Sequence, residues 1–211
     1  LDAMLATGKP VILVLFTGRP LVLVEEEAKV PAILNVWFPG SEAGLSIADV
    51  LFGDVNPSGK LTATFPRTED QIPLFYNHKN TGRPLSNKEG NFEKFRSNYL
   101  DERIEPLYPF GYGLSYTTFK YSELKINTTE IGAGEKLQVS VKVTNTGDRK
   151  GKEVVELYTS DLYASKITPD VKRLRRFTKI ELEPGASKTL DFTISTDDLK
   201  YADQNGKSIL E

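Results

Sequence analysis

Between Leu137 and Thr144 apolar and polar residues alternate without an error. Leu137, Val139, Val141 and Val143 stand against Gln138, Ser140, Lys142 and Thr144. Successive side chains of an extended chain point to opposite faces, so this period of two predicts a half-buried strand. Leu190, Phe192 and Ile194 repeat the pattern against Thr189, Asp191 and Thr193. Turn signals separate the apolar runs at Asn145-Thr-Gly147, Pro184-Gly185 and Asn205-Gly206. Six or so short strands in residues 114–211 predict an immunoglobulin-like or fibronectin type III-like β-sandwich. The chain has no cysteine, and the missing Cys–Trp–Cys spacing favours the fibronectin type.

Residues 1–66 follow a different rule and read as α/β. Val11 to Phe16 is a continuous apolar run after Gly8-Lys-Pro10, as expected of a strand buried on both faces. Thr17-Gly-Arg-Pro20 turns the chain into a second apolar run, Leu21 to Val24. Glu25, Glu26, Glu27 and Ala28 suggest a short helix with its carboxylates at the favoured end, and Pro31 to Trp37 a further buried strand. Ser41 is placed to N-cap a helix running to about Phe52, with Leu45, Ala48, Leu51 and Phe52 on its apolar side and Gly53 ending it. Roughly three strands and one good helix leave apolar faces with nothing in the chain to cover them. A unit of this size is marginal alone, so the segment reads as the C-terminal part of a larger α/β domain.

Residues 67–113 are aromatic, punctuated by Pro and Gly, and without clear periodicity. Phe75, Tyr76, Phe92, Phe95, Tyr99, Tyr108, Phe110 and Tyr112 predict an ordered connector that docks on its neighbours.

Composition narrows the function classes. Of the 211 residues, 39% are hydrophobic and 27% charged, which excludes a disordered chain. No apolar run reaches spanning length. A net charge of −2 without a concentrated basic face gives no case for nucleic acid. The one basic cluster, Lys172, Arg173, Arg175, Arg176 and Lys179, reads as a solvated strand edge. Without cysteine there is no thiol nucleophile, disulfide scaffold or thiolate zinc site.

Four stretches carry a family resemblance. Trp37-Phe-Pro-Gly-Ser-Glu-Ala-Gly44, Ala48-Asp-Val-Leu-Phe-Gly-Asp54 and Asn56-Pro-Ser-Gly-Lys-Leu61 resemble the late part of the second domain of family 3 glycoside hydrolases, and Gly18-Arg-Pro20 fits the same pattern. Ile72-Pro-Leu-Phe-Tyr-Asn-His78 with Thr81-Gly-Arg83 resembles the connector of their three-domain β-glucosidases. Pro106-Leu-Tyr-Pro-Phe-Gly-Tyr-Gly-Leu-Ser-Tyr-Thr117 resembles the start of their fibronectin-like domain. The resemblance implies a retaining β-glucosidase in which an aspartate attacks the anomeric carbon and a glutamate serves as acid and then base. In the family both carboxylates precede the stretch matched here, so neither role falls on a residue of this chain. The implied partner is a β-glucoside or oligosaccharide, met through upstream domains. No cofactor or metal, no nucleic acid and no membrane is implied, and the expected location is periplasmic or secreted.

Several residues compete for attention. Glu42 stands at the start of a helix, where a carboxylate is favoured whatever the chemistry. His78 is the only histidine, and its loop carries no nucleophile signature. It and Arg83 are rim candidates for substrate contact, with loop ordering the first reading; Arg96, Tyr99 and Asp101 share that reading. Asp54, Asn56, Ser58 and Gly59 imitate the opening of a calcium loop, but the twelfth position is Phe65 where a bidentate glutamate is needed. Gly111-Tyr-Gly113 reads as a tight bend, since a dinucleotide fingerprint needs a third glycine and a βαβ setting. Asn127-Thr-Thr129 is a glycosylation sequon, relevant to a secreted eukaryotic protein.

The ends shape two further expectations. Leu1 to Ala6 reads as the last turns of a helix, and Ser208-Ile-Leu-Glu211 as a sandwich short of its last strand. The sequence therefore reads as truncated at both ends and poorly stable alone. The alternatives are a non-catalytic carbohydrate-binding or adhesion module built on the sandwich, and a family 3 enzyme of β-xylosidase or β-N-acetylglucosaminidase specificity.

Overall fold

In the computed structural model, which describes residues 1–86 and 92–210, the chain divides into two units. The first comprises Leu1–Val55, Leu61–Tyr76 and Thr81–Tyr112; the second comprises Asn56–Lys60, Asn77–Asn80 and Gly113–Glu211.

The first unit opens with a short helix α1 (Asp2–Leu5), strand β1 (Ile12–Leu15), helix α2 (Val24–Lys29), strand β2 (Ala32–Asn35) and helix α3 (Ala43–Phe52). β1 and β2 pair in parallel from Ile12 opposite Ala32 to Leu15 opposite Asn35, with α2 on the crossover, as a parallel pair requires. Leu21 to Val24 forms no strand. Leu23 is buried and Val24 already opens α2, so one core contact and three following glutamates at the helix start override the short apolar run. The expected cap on α3 moves by one residue: Glu42, not Ser41, is the N-cap, and its side chain makes no capping bond. Gly53 closes α3 in the left-handed region at φ 87°, a backbone state that favours glycine. The apolar faces stay open. Neither strand holds a fully buried residue, and Leu45 and Phe52 of α3 are 66% and 85% exposed.

Later in this unit a 3-10 turn at Glu69–Gln71 buries Gln71. Its amide oxygen accepts from the Arg67 N–H at 2.7 Å and its nitrogen donates to the Arg103 carbonyl at 2.9 Å. Phe65 is almost fully buried, bridged to Tyr108 by backbone bonds and packed between the rings of Trp37 and Tyr108. Tyr76 stacks on Phe110 and Tyr108 on Tyr112. The other connector aromatics divide: Phe75, Phe92 and Phe95 are exposed.

The second unit is the sandwich. One sheet orders β3 (Phe119–Ile126), β4 (Lys136–Asn145) and β7 (Ser187–Ser195) as β3-β4-β7; the other pairs β5 (Gly151–Thr159) with β6 (Arg173–Leu182). A one-turn helix α4 (Thr196–Leu199) and a hairpin of β8 (Tyr201–Ala202) and β9 (Ser208–Ile209) follow. The inward residues meet in one cluster: Val139, Val141 and Val143 from β4, Leu190 and Phe192 from β7, Val155 from β5, Ile180 and Leu182 from β6. Burial of each contributes about 1.5–3 kcal/mol, which makes this cluster the dominant cohesive element of the unit. A bulge between Ser122 and Lys125 shifts the β3 register, with Glu123 at φ 53°.

The turn signal at Asn145 hides a structural role. Asn145 is 0% exposed. Its nitrogen donates to the Arg149 and Leu182 carbonyls, and its oxygen accepts from the Thr117 hydroxyl and the Gly147 N–H. All four bonds an amide can make are made, and they tie the end of β4 to the end of β6 in the opposite sheet.

Candidate functional site

The two short insertions that join the sandwich unit, Asn56–Lys60 and Asn77–Asn80, carry Asn56, Ser58 and His78 among the residues singled out by sequence, and both are clasped by it. In the first, the Asn56 side-chain oxygen accepts from the Ser115 hydroxyl at 3.0 Å and the Tyr116 N–H at 2.9 Å, while its nitrogen donates to the Lys150 carbonyl. An amide bonded in this way is a staple, which agrees with the rejection of the calcium-loop reading. Lys60 donates to the Gly113 carbonyl at 2.8 Å and lies 3.4 Å from the carboxylate of buried Glu153. The Tyr121 hydroxyl donates to the other Glu153 oxygen at 2.9 Å. Burial, that hydrogen bond and the nearby carboxylates push the Tyr121 phenol far above its ordinary value. Gly113 belongs to the predicted tight bend: a Cβ there would collide with the Gly59 carbonyl oxygen, so the close approach of two backbones requires glycine.

The second clasp centres on Asp170, whose side chain is 9% exposed. Lys79 Nζ lies 2.6 Å from one carboxylate oxygen; Arg173 Nε at 2.8 Å and Asn77 Nδ2 at 3.3 Å meet the other. The Val171 N–H donates to the His78 carbonyl at 2.9 Å. Burial opposes the charge on Asp170, but hydrogen bonds from Lys79 and Asn77 and the charges of Lys79 and Arg173 outweigh it. Its carboxyl is held below the usual range. The His78 ring is exposed, and Nδ1 donates to the neighbouring Lys79 carbonyl at 3.0 Å. Loop ordering is thus the visible role of this segment.

Arg83 falls in the other unit, exposed, with its carbonyl accepting from the Ser97 N–H. Of the Arg96, Tyr99 and Asp101 group, Arg96 is held by two residues that sequence reasoning passed over. Glu93 accepts from the Ser86 N–H and hydroxyl and lies 3.7 Å from Arg96 Nε, and Asn98 bridges the Glu93 and Arg96 carbonyls. No period marks Glu93 or Asn98; only a Ser/Asn-rich loop hints at such turns. Glu42 is exposed, and its carbonyl accepts from Ser46 N–H in the first turn of α3. Asn127 uses its side-chain oxygen to accept from the Gln138 N–H at 2.8 Å.

The basic cluster lies on β6, an edge strand of the β5-β6 sheet, with Lys179 exposed as expected, but its other side chains are partnered rather than merely solvated. Arg176 makes a 2.6 Å pair with Asp198, Arg175 Nε donates to the Thr159 hydroxyl, Arg173 holds Asp170, and Lys172 lies 5.0 Å over the Tyr158 ring. Asp198 also completes a capping box with Ser195. The Arg176 hydrogen bond, aided by those from Ser195, holds its carboxyl well below the carboxylate range. For Arg175 and Arg176 the partners lie 16 and 22 residues away in sequence, where no local pattern reveals them. Among the described residues no group of His, Asp or Glu is arranged to hold a metal ion, and no helix is long and apolar enough to cross a membrane.

Comparison with known proteins places this geometry in a lineage. The model of the glycosyl hydrolase family 3 C-terminal domain matches residues 1–116, and that of the fibronectin type III-like domain matches residues 153–211. A periplasmic beta-glucosidase of Salmonella typhimurium is 51% identical over 98% of this chain, which covers 27% of that protein. A beta-xylosidase of Formosa agariphila is 44% identical over all of it, covering 28% of that protein. The crystal structure of beta-glucosidase from Listeria innocua in complex with isofagomine superposes with a TM-score of 0.91 at 42% identity, over 99% of this chain and 29% of that one. The chain thus spans about a quarter of the length of the curated relatives it matches.

Proposed function

The chain belongs to glycosyl hydrolase family 3, and from that premise we propose that it is the C-terminal scaffold of a retaining β-glucosidase acting on terminal β-D-glucosyl residues of oligosaccharides or glycosides. The observation that carries this reading is the 51% identity to a periplasmic beta-glucosidase across 98% of the chain. On this reading the attacking aspartate and the acid/base glutamate, which double displacement requires about 5–5.5 Å apart, come from polypeptide outside residues 1–211. Glu42, at the N-cap of α3, serves the helix. His78 and Arg83 are kept as rim candidates for substrate contact, with loop ordering as the first role and neither as a catalytic group. The periplasm or the secreted fraction is the proposed location.

Hydrolysis of a chromogenic aryl β-glucoside, measured on residues 1–211 and on a longer family 3 polypeptide containing them, tests the proposal. Activity in the longer protein alone is expected; activity in residues 1–211 would overturn it. Within the longer protein, alanine at His78 or Arg83 is expected to raise KM with kcat retained. A second specificity is favoured by the 44% identity to a beta-xylosidase, and an aryl β-xyloside run in parallel separates the two. The adhesion-module alternative is opposed by the family 3 match over residues 1–116, since a free-standing sandwich has no need of that region.

A further inference from the structure

The β8–β9 hairpin turns through residues 203–207, and Asp203 organises the turn. Its N–H donates to the Lys207 carbonyl at 2.9 Å, and its own carbonyl accepts from the Gly206 N–H at 3.0 Å. One carboxylate oxygen accepts from the Asn205 N–H at 2.9 Å and the Lys207 N–H at 2.8 Å. Asn205 and Gly206 stand at the tip, both exposed, with Gly206 at φ 76°. Asn205 is the one asparagine of the sequence that glycine follows. We propose that Asn205 is a site of spontaneous covalent modification, in which the Gly206 backbone nitrogen displaces its side-chain nitrogen as ammonia and leaves aspartate or isoaspartate in the turn.

The step balances with water as its only co-reactant. The Gly206 nitrogen gives its proton to solvent and bonds to Asn205 Cγ. The bond from Cγ to the side-chain nitrogen breaks, and that nitrogen leaves as ammonia with a proton taken back from solvent. Water then opens the five-membered imide at either carbonyl. Opening at the side-chain carbonyl gives aspartate; opening at the backbone carbonyl gives isoaspartate, with one extra methylene in the main chain. Nothing is oxidised or reduced.

Three observations single out this position. A Cβ on the following residue obstructs the attack; Gly206 has none, and the place where one would sit is open, with nothing within 4 Å. The bond that fixes Asn205 runs through its backbone N–H, whereas the side-chain amides of Asn56, Asn98 and Asn145 are engaged by carbonyls. The attacking nitrogen is also released at low cost. It must leave the Asp203 carbonyl, and the hairpin that holds it there has two residue pairs, Tyr201 with Ile209 and Ala202 with Ser208. So short a ladder opens readily. The product carries a new carboxylate beside that of Asp203, and like charges at this distance weaken the turn that Asp203 holds together. The proposal is independent of the catalytic reading, since no part of it uses glycoside chemistry.

The test is incubation of the 211-residue chain in mildly alkaline buffer, followed by ammonia release, peptide mapping by mass spectrometry with isoaspartate detection, and amide hydrogen exchange before and after. Conversion at Asn205 is expected ahead of every other asparagine, with ammonia released in proportion and faster exchange at Ala202 and Ile209 afterwards, exchange in β4 and β7 being unchanged. Asn205→Gln is expected to abolish the early ammonia release. Asp203→Ala, which frees the turn, is expected to accelerate it, so the proposal does not rest on a loss alone. Earlier conversion at another asparagine, ammonia release that survives Asn205→Gln, or a folded chain that keeps Asn205 intact while the urea-unfolded chain converts it would each overturn the proposal.

Discussion

The two units treat the same resource, apolar side chains, in opposite ways. In the sandwich, Val139, Val143, Val155, Leu190, Phe192 and Ile194 are all buried. In the α/β unit only Leu23, Val30 and Phe65 are buried among the described hydrophobic residues, while Phe16, Phe38, Leu45 and Phe52 are exposed. The difference follows from the pattern of the sequence. A strand with a period of two has one face to bury, and a second sheet supplies the cover. A continuous run such as Val11 to Phe16 needs cover on two faces, and β1–β2 with its helices offers less than that. Stability is therefore uneven along the chain, and amide hydrogen exchange is the measurement that resolves it, because a single melting temperature is ill-defined for two dissimilar units. Amides of β4 and β7 are expected to exchange slowest and those of β1 and β2 fastest.

The largest effect is expected at the centre of the sandwich. Phe192→Ala removes a ring from the shared cluster and should lower the opening free energy of β4 and β7 by about 3–5 kcal/mol. A loss below about 1 kcal/mol would mean that the cluster does not hold the sheets together, and the contrast between units would collapse. Next comes Asn145→Ala. It leaves the Thr117 hydroxyl, the Gly147 N–H and two carbonyls without their partner, and a cost of about 2–4 kcal/mol is expected from groups stranded away from water. Hydrogen exchange at Leu182 and Arg149 reads it locally. If Asn145→Ala proves as mild as a surface substitution, cohesion in this unit is purely apolar.

The same contrast explains what the sequence could reveal. Alternation at Leu137–Thr144 and Leu190–Ile194 predicted β4 and β7 and their inward faces, because a one-residue slip would turn every side chain outward. Gly53 was legible as a helix end for an equally local reason. Leu21–Val24 was misread because Leu23 makes one core contact at a helix start, and the basic cluster because Thr159 and Asp198 accept from arginines 16 and 22 residues away; the cap expected at Ser41 falls on the adjacent Glu42. The family was readable from motif order, and the comparisons agree with it. The Asp170 clasp was not readable at all, since Asn77 and Lys79 lie about ninety residues from their acceptor and no local pattern announces such a bond.

A smaller effect, and one that changes with pH, is expected at that clasp. The Asp170 carboxyl titrates below its ordinary value of 3.8 in the folded chain. It therefore contributes stability that is fully present above that value and is lost as pH falls through the lowered one. Asp198 shifts in the same direction. Asp170→Asn should cost about 1–2 kcal/mol near neutrality through weaker charge-assisted bonds. It should also flatten the acid limb of a stability profile measured from exchange at Val171. An acid limb unchanged by Asp170→Asn would assign the loss to Asp198 and reduce the clasp to a crystal-like contact of two loops.

The smallest effect is expected on the open face of the α/β unit, and it bears most directly on the comparison. Phe52 ends α3 with 85% of its surface in water, so Phe52→Ser removes almost no burial. The opening free energy of α3 should change by less than about 0.5 kcal/mol. What should change is association: an exposed phenylalanine near Leu45 on one helix favours contact between copies, and sedimentation of Phe52→Ser should show less self-association than the parent at equal concentration. The opposite pairing of results is the informative one. A loss of 1 kcal/mol or more, with slower exchange in the parent at high concentration, would show that this face is already covered in solution by a second copy. The two units would then differ in where their cover comes from, within the chain for the sandwich and between chains for the α/β unit, rather than in whether they have one.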